Sequence, residues 1–305
     1  MILRNTGNAR RAPPAHPLLY IRYMNKVFAF ALCLPIAACT VGGAAPTGTG
    51  GDDVPNPMNG VDGGVTGMGG GLSGNIAANT TWSGDTKITG AITIPAGVTV
   101  TVSAGTHVTI ASGAGITVSG TLDVQGTKAS PVTIGPTTAA GHWSGLDLKT
   151  GGLLKMTYGT QTGGGIYTDG GTANVTDSHL SNAAGDYLVM NGGSIDIEYS
   201  TIGEETATDS THCNLHFNSA TTIKFTHNNN LNSPYGLMFY GGTGADFTHN
   251  NWVSSKTLGD IDIEPNPGGT GNFSDSYFSN GQPAGTTGLT FTNLSATRLL
   301  DCGPR

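Results

Sequence analysis

From Ile88 onward the chain is a series of short β-branched segments in which apolar and polar residues alternate, punctuated by Gly, Ser, Asn and Pro. Alternation of that kind marks half-buried strands. The segments overlay at a fixed step of 24 residues. Ile92-Thr93-Ile94 matches Ile116-Thr117-Val118. Val98-Thr99-Val100 matches Leu122-Asp123-Val124 and then Leu146-Asp147-Leu148. Val108-Thr109-Ile110 matches Val132-Thr133-Ile134 and then Met156-Thr157-Tyr158. Three strand positions with one repeat length predict a solenoid whose turns stack as parallel strands. One inward column reads Val98, Leu122, Leu146, Ile166, Leu188, Leu215, Leu237, Ile261 and Leu289. A second reads Val108, Val132, Met156, Val175, Ile197, Phe225, Phe247 and Phe273. Both columns take a longer step at the same place, which predicts one insertion near Gly203–His212.

The expected fold is therefore all-β, a parallel β-helix of about nine coils over residues 74–305. One coil cannot bury its own apolar face, but a stack can. Ser178, Ser200, Asn228, Asn250 and Ser276 fall at one turn position, where their side chains can bond the backbone of the neighbouring turn. An antiparallel sandwich would need systematic Asn-Gly or Asp-Gly hairpins. A left-handed hexapeptide helix would need a strict six-residue period. Neither pattern is present.

The run Gly115-Ile-Thr-Val-Ser-Gly-Thr-Leu-Asp-Val-Gln-Gly-Thr, followed by Ser130-Pro-Val-Thr-Ile and His142-Trp-Ser-Gly-Leu, resembles the pectate-lyase-like superfamily of right-handed parallel β-helices. More narrowly, it resembles the bacterial surface-lipoprotein members. The resemblance covers about residues 75–295 and implies the fold. It implies little about activity, because this fold carries lyases, hydrolases, adhesins and tailspikes.

The N-terminal quarter reads as an address. Val27 to Ala38 is an uncharged apolar run, too short to span a bilayer and of signal-peptide length, with Lys26 before it. It ends in Ile36-Ala37-Ala38-Cys39, similar to a bacterial lipobox, which implies cleavage before Cys39 and lipidation of that cysteine. Met24-Asn25-Lys26 resembles a natural start, which would make residues 1–23 an upstream extension. Residues 39–73, rich in Gly, Thr and Pro, read as a flexible tether. Thr40 rather than Asp after the cysteine implies an outer-membrane destination. The expected setting is thus an exported protein at the outer membrane or cell surface, partnered with the membrane through a lipid anchor.

Charge narrows the partners. Of the 13 Lys and Arg residues, Arg4, Arg10, Arg11, Arg22 and Lys26 precede Cys39, whereas all 20 acidic residues follow it. A body that acidic lacks the basic footprint needed for nucleic acid. Polysaccharide or another surface protein fits better. Export also allows Cys213 and Cys302 to pair as a disulfide, although no spacing rule brings them together, and two separate thiols are the other reading.

The chemically varied outward face comprises Asp123, Asp147, Tyr167, Asp169, His216, Tyr240, Asp262 and Glu264, with Asp123 and Asp147 expected as stacked neighbours. Paired carboxylates can hold Ca²⁺ or act as acid and base on a glycosidic bond, and aromatics beside them suit sugar stacking. The bland reading is an exposed sheet kept soluble by acidic groups. The superfamily's hydrolase motifs do not carry over: Gly141-His142 is followed by Trp143, and the adjacent pair Asp52-Asp53 lies in the tether. Catalytic residues are therefore left unassigned, and no cofactor beyond Ca²⁺ is expected. His227 and His249 fall on adjacent coils, but without an evident third ligand they read as a polar ladder, and no metal centre is expected. A column of Thr, interrupted by Glu198, reflects the preference of Thr for exposed strands rather than an ice-binding array. The expectation is a non-enzymatic scaffold, adhesive or glycan-binding protein. The alternative is a polysaccharide lyase or glycoside hydrolase working on the same face.

Overall fold

The computed structural model describes residues 70–205, 212–253, 259–262, 269–284 and 287–305, with only the backbone of 259–262. The described chain is all-β, without a helix, and winds into a parallel β-solenoid of about nine turns. Ten strands form one sheet, running from Thr80–Trp82 through Thr121–Gln125, Leu153–Thr157 and Ser194–Glu198 to Leu289–Thr290. We call this sheet I. Seventeen strands form a second ladder that is folded along a corner into two faces. The strand Asp85–Ile94 joins both: Asp85–Ile88 pairs with His107–Ile110, and Ile92–Ile94 pairs with Ile116–Val118. We call the face that continues from His107–Ile110 sheet II, and the face that continues from Ile116–Val118 sheet III.

The predicted columns hold from Leu146 to Ile261 on one sheet and from Met156 onward on another. On sheet III, Leu146, Ile166, Leu188, Leu215, Leu237 and Ile261 are successive partners. On sheet I, Met156, Val175, Ile197 and Phe225 are successive partners. The longer step, from Leu188 to Leu215, coincides with the expected insertion. Before Leu146 the columns require correction. Leu122 lies on sheet I between Val100 and Leu154, whereas the neighbour of Leu146 is Ile116. Val132 pairs with Gly159 on sheet II, and Val108 pairs with Ile134. Leu289 pairs with Gly271, not Ile261.

The physical reason is two further excursions, 126–131 and 137–145, which lengthen the step from Ile116 to Leu146 to 30 residues. A fixed step of 24 therefore jumps to a different strand there. Where the error is only two residues, as at Val108, the pleat is preserved and the side chain still points inward. The second excursion returns Trp143 to the core, where its indole N–H donates to the Thr162 carbonyl (2.8 Å).

The core changes character along the axis. Its early turns hold Ile88, Ile92, Val100, Ile110, Ile116 and Val118. Its later turns hold Phe217, Phe225, Phe239, Phe247, Trp252 and Phe273, all buried. In-register stacking places like rings over one another, as in Phe247–Phe273 at 4.5 Å and Phe273–Phe291 at 5.3 Å. Each well-formed ring pair adds about 0.5–1.5 kcal/mol beyond its buried area.

The corners are built differently. Between sheets III and I the chain turns through Gly, and a Cβ at Gly152 would lie 2.0 Å from the Val118 carbonyl oxygen. Between sheets I and II a single left-handed residue makes the turn: Tyr158, Asp177, Tyr199, His227, His249 and Asp275, with φ of 45–59°. Immediately after it comes the predicted Ser/Asn column, now seen as a continuous buried ladder. Each side-chain oxygen accepts the backbone N–H one turn earlier: Gly159 donates to Ser178 (3.0 Å), Ser178 to Ser200 (3.2 Å), Ser200 to Asn228 (2.8 Å), Asn228 to Asn250 (2.7 Å) and Asn250 to Ser276 (3.1 Å). The ladder supplies partners to N–H groups that a tight corner would otherwise leave buried and unmatched.

The C-terminal segment runs back over this corner. Arg298 makes a two-pronged ion pair with Glu205, Leu299 exchanges hydrogen bonds with Asn251, and Asp301 meets His249 Nε2 at 3.0 Å. Gly303 donates to the His227 carbonyl. The Arg305 guanidinium lies over the Tyr199 ring (3.8 Å) and grips both oxygens of buried Asp177, at 2.9 and 2.7 Å.

Arg305's hydrogen bonds hold the Asp177 carboxyl below the usual aspartate range, outweighing burial, which acts the other way. A carboxylate whose pKa is lowered by folding contributes stability above its unfolded pKa and loses it as the pH falls through the folded one. The stability gap between wild type and Asp177→Asn is therefore expected to be full at neutral pH and to close in acid. Denaturant midpoints at both pH values measure it, and a gap independent of pH would contradict the assignment.

Candidate functional site

The varied face is the outside of sheet III. Pleating turns every second side chain outward, so Thr117, Asp147, Tyr167, Val189, His216 and Met238 form one rank, continued in backbone register by Asp262. Asp147, Tyr167 and Asp169 line an open depression of about 450 Å³ together with Lys149, Asn191 and the glycine-rich corner segments around Gly113 and Gly145. Lys149 Nζ bridges Asp147 (2.8 Å) and Asp169 (3.1 Å). An ammonium thus sits between the two carboxylates. Those carboxylates in turn raise the Lys149 pKa. Tyr167 lies against two glycines, and a Cβ at Gly145 would come within 2.7 Å of its ring. Burial, reinforced by the charge of Asp186, raises its phenol pKa.

Asp123 does not belong to this face. It stands on sheet I, paired with Thr101 and Lys155, and accepts a hydrogen bond from Gln125 (2.8 Å). The expectation that it stacks on Asp147 fails for the same reason as the early columns. Further along sheet III, His216 and Tyr240 meet edge-to-face at 5.4 Å. Asp262 lies in the strand Gly259–Asp262, its side chain outside the described residues. Glu264 and Cys39 also lie outside them.

Cys213 and Cys302 are not joined in a disulfide. Cys213 faces Asp186 at the start of a sheet III strand, whereas Cys302 lies on the returning C-terminal segment and donates to the His249 carbonyl. Burial pushes the Cys302 thiol up to about 12.

One grouping is not foreseen from the sequence, and a second, the expected pair His227 and His249, acquires a third member. Asp186, His212, Cys213 and His216 converge at the corner leading into sheet III, with one ligand atom from each within 4.8 Å of the others. His227 and His249, with rings 4.4 Å apart, gain Asp301 as a neighbour from the C-terminal segment. On sheet I, Lys224 contacts Asp196 at 3.3 Å and Glu198 at 3.0 Å. Comparison with known proteins gave no significant match to a family model, a curated protein or a solved structure.

Proposed function

We propose that this chain is a lipid-anchored surface protein of the right-handed, pectate-lyase-like β-helix type that binds polysaccharide without cleaving it. The observation that carries this reading is the depression on sheet III. There a tyrosine ring lies beside a Lys149 bridge between Asp147 and Asp169, offering a stacking face and paired donors and acceptors along an open track. Open tracks of this kind suit extended chains, and an aromatic ring flanked by hydrogen-bonding groups suits a pyranose.

Lys149 also argues for binding over lysis. Proton abstraction calls for a lysine of lowered pKa, and here two carboxylates push it the other way. The apolar run before Cys39 and the tether after it support anchorage at the outer membrane.

The test is a glycan array followed by a cleavage screen on the full chain. Binding to a polysaccharide is expected, weakened at least tenfold by Tyr167→Ala and unchanged by Asp123→Ala on the other sheet. Binding that survives Tyr167→Ala removes the site. Release of reducing ends or unsaturated uronate, lost in Lys149→Ala or Asp147→Ala, makes the protein an enzyme. In the same preparation Cys39→Ser should move from the membrane to the soluble fraction, and retention there overturns the anchor.

A further inference from the structure

We infer that Asp186, His212, Cys213 and His216 form a binding site for a zinc-class divalent cation. The proposal is independent of the polysaccharide reading. Two segments build the site. Asp186 sits in the connection between the strands His179–Ser181 and Leu188–Asn191. His212 and Cys213 end the long insertion, and His216 follows on the strand Cys213–Ser219. Because Leu188 and Leu215 are in register, the solenoid sets these segments on consecutive turns at one corner.

The distances are short enough for one ion to be shared. Asp186 Oδ1 lies 3.0 Å from His212 Nδ1 and 3.1 Å from Cys213 Sγ, while Asp186 Oδ2 lies 3.1 Å from His216 Nδ1. Cys213 Sγ and His212 Nδ1 are 3.6 Å apart. Zinc bonds of about 2.0–2.3 Å to N, O and S imply tetrahedral edges of about 3.3–3.6 Å. These contacts lie near those edges, and one donor atom from each of the four residues lies within 4.8 Å of every other, so small side-chain rotations bring the set onto one ion.

Donor chemistry selects the ion. A thiolate and two imidazoles disfavour Ca²⁺ and Mg²⁺, which take oxygen ligands, and favour zinc and its borderline-soft neighbours. One ligand ring is already oriented by an outer partner. His216 Nε2 meets Asn218 Oδ1 at 3.1 Å, and Asn218 donates in turn to Asn191 Oδ1 (2.9 Å). That leaves Nδ1 directed at the cluster, as outer partners of metal-bound histidines do.

Access is graded. Cys213 is fully buried, Asp186 and His216 are mostly buried, and the His212 side chain is 46% exposed, so the ion enters past His212. Four protein donors make a closed, structural centre rather than a catalytic one. It would clip the end of the insertion to the preceding turn. On binding, the Cys213 thiol loses its proton to solvent and no redox change occurs.

The experiment titrates the reduced, metal-free full chain with Zn²⁺ and with Co²⁺. The expected result is one equivalent bound per chain, with a thiolate-to-cobalt charge-transfer band that Zn²⁺ bleaches. Cys213→Ala should abolish that band. Since Cys213 is buried, His212→Ala at the exposed mouth serves as the second variant, expected to bind Zn²⁺ at least tenfold more weakly with an unchanged circular dichroism spectrum. Two results would overturn the proposal: no binding below millimolar metal, or stoichiometric binding that survives both variants and vanishes in His249→Ala, which would place the ion at His227, His249 and Asp301.

Discussion

Asn250→Ala is expected to destabilise the protein by about 2–4 kcal/mol, although it removes only one small polar side chain. Asn250 is fully buried. Its oxygen accepts the Asn228 N–H at 2.7 Å, and its amide donates to the carbonyls of Phe225 (2.6 Å) and Phe247 (2.8 Å). Alanine leaves the Asn228 N–H buried without its acceptor, which costs about 1–3 kcal/mol. The void it opens adds to that. Denaturant midpoints at constant slope measure the loss. Asn250→Ser should recover part of it, because serine fills the equivalent rung at residues 178, 200 and 276. A change below about 0.5 kcal/mol, the range of ordinary surface substitutions, would mean that the ladder carries little of the stability.

Phe247→Ala is expected to cost more, about 3–5 kcal/mol, the range for deleting a buried aromatic ring. Phe247 is the hub of the aromatic half of the core. Its ring stacks on Phe273 at 4.5 Å and meets Phe239, Trp252, Phe217 and Phe225 between 5.4 and 6.4 Å. Phe291, only partly buried in the last turn, contacts two rings, Phe273 and Phe278. Phe291→Ala should therefore cost clearly less. Equal losses from the two variants, measured by the same unfolding experiment, would show that position along the stack does not govern core energetics.

The sequence made the fold legible because a solenoid repeats its local pattern, so Leu146, Ile166, Leu188 and Leu215 could be aligned without any knowledge of long-range contacts. The Ser/Asn ladder was legible for the same reason. Register failed where the turn length changed. The excursions at 126–131 and 137–145 carry no alternation to count against, and they displaced Asp123 from the candidate face to another sheet.

The candidate site was read in part. Asp147, Tyr167 and Asp169 come together as the strand pattern predicts, but nothing in that pattern places Lys149 between the two carboxylates. The four-donor cluster had a signal that was present but divided. His212-Cys213-x-x-His216 is a compact ligand spacing, yet in the sequence Cys213 also reads as a disulfide half and His216 as a face residue. Asp186 lies 26 residues before His212 in a connecting segment without periodicity, so only the three-dimensional stacking of turns brings it near. Asp301, likewise, reaches His249 from 52 residues away.

That C-terminal segment has a mechanical consequence. In a plain solenoid each turn holds only its neighbours, so tension on the last strand peels the stack one turn at a time. Here residues 298–305 lie antiparallel to the stacking direction and are fastened in succession to Asn251, His249, His227, Tyr199 and Asp177. A load applied at Phe291 still unzips turn by turn. One applied at Arg305 is first taken at Asp177, deep in the stack, and reaches the last turn only after the fastenings between have given way.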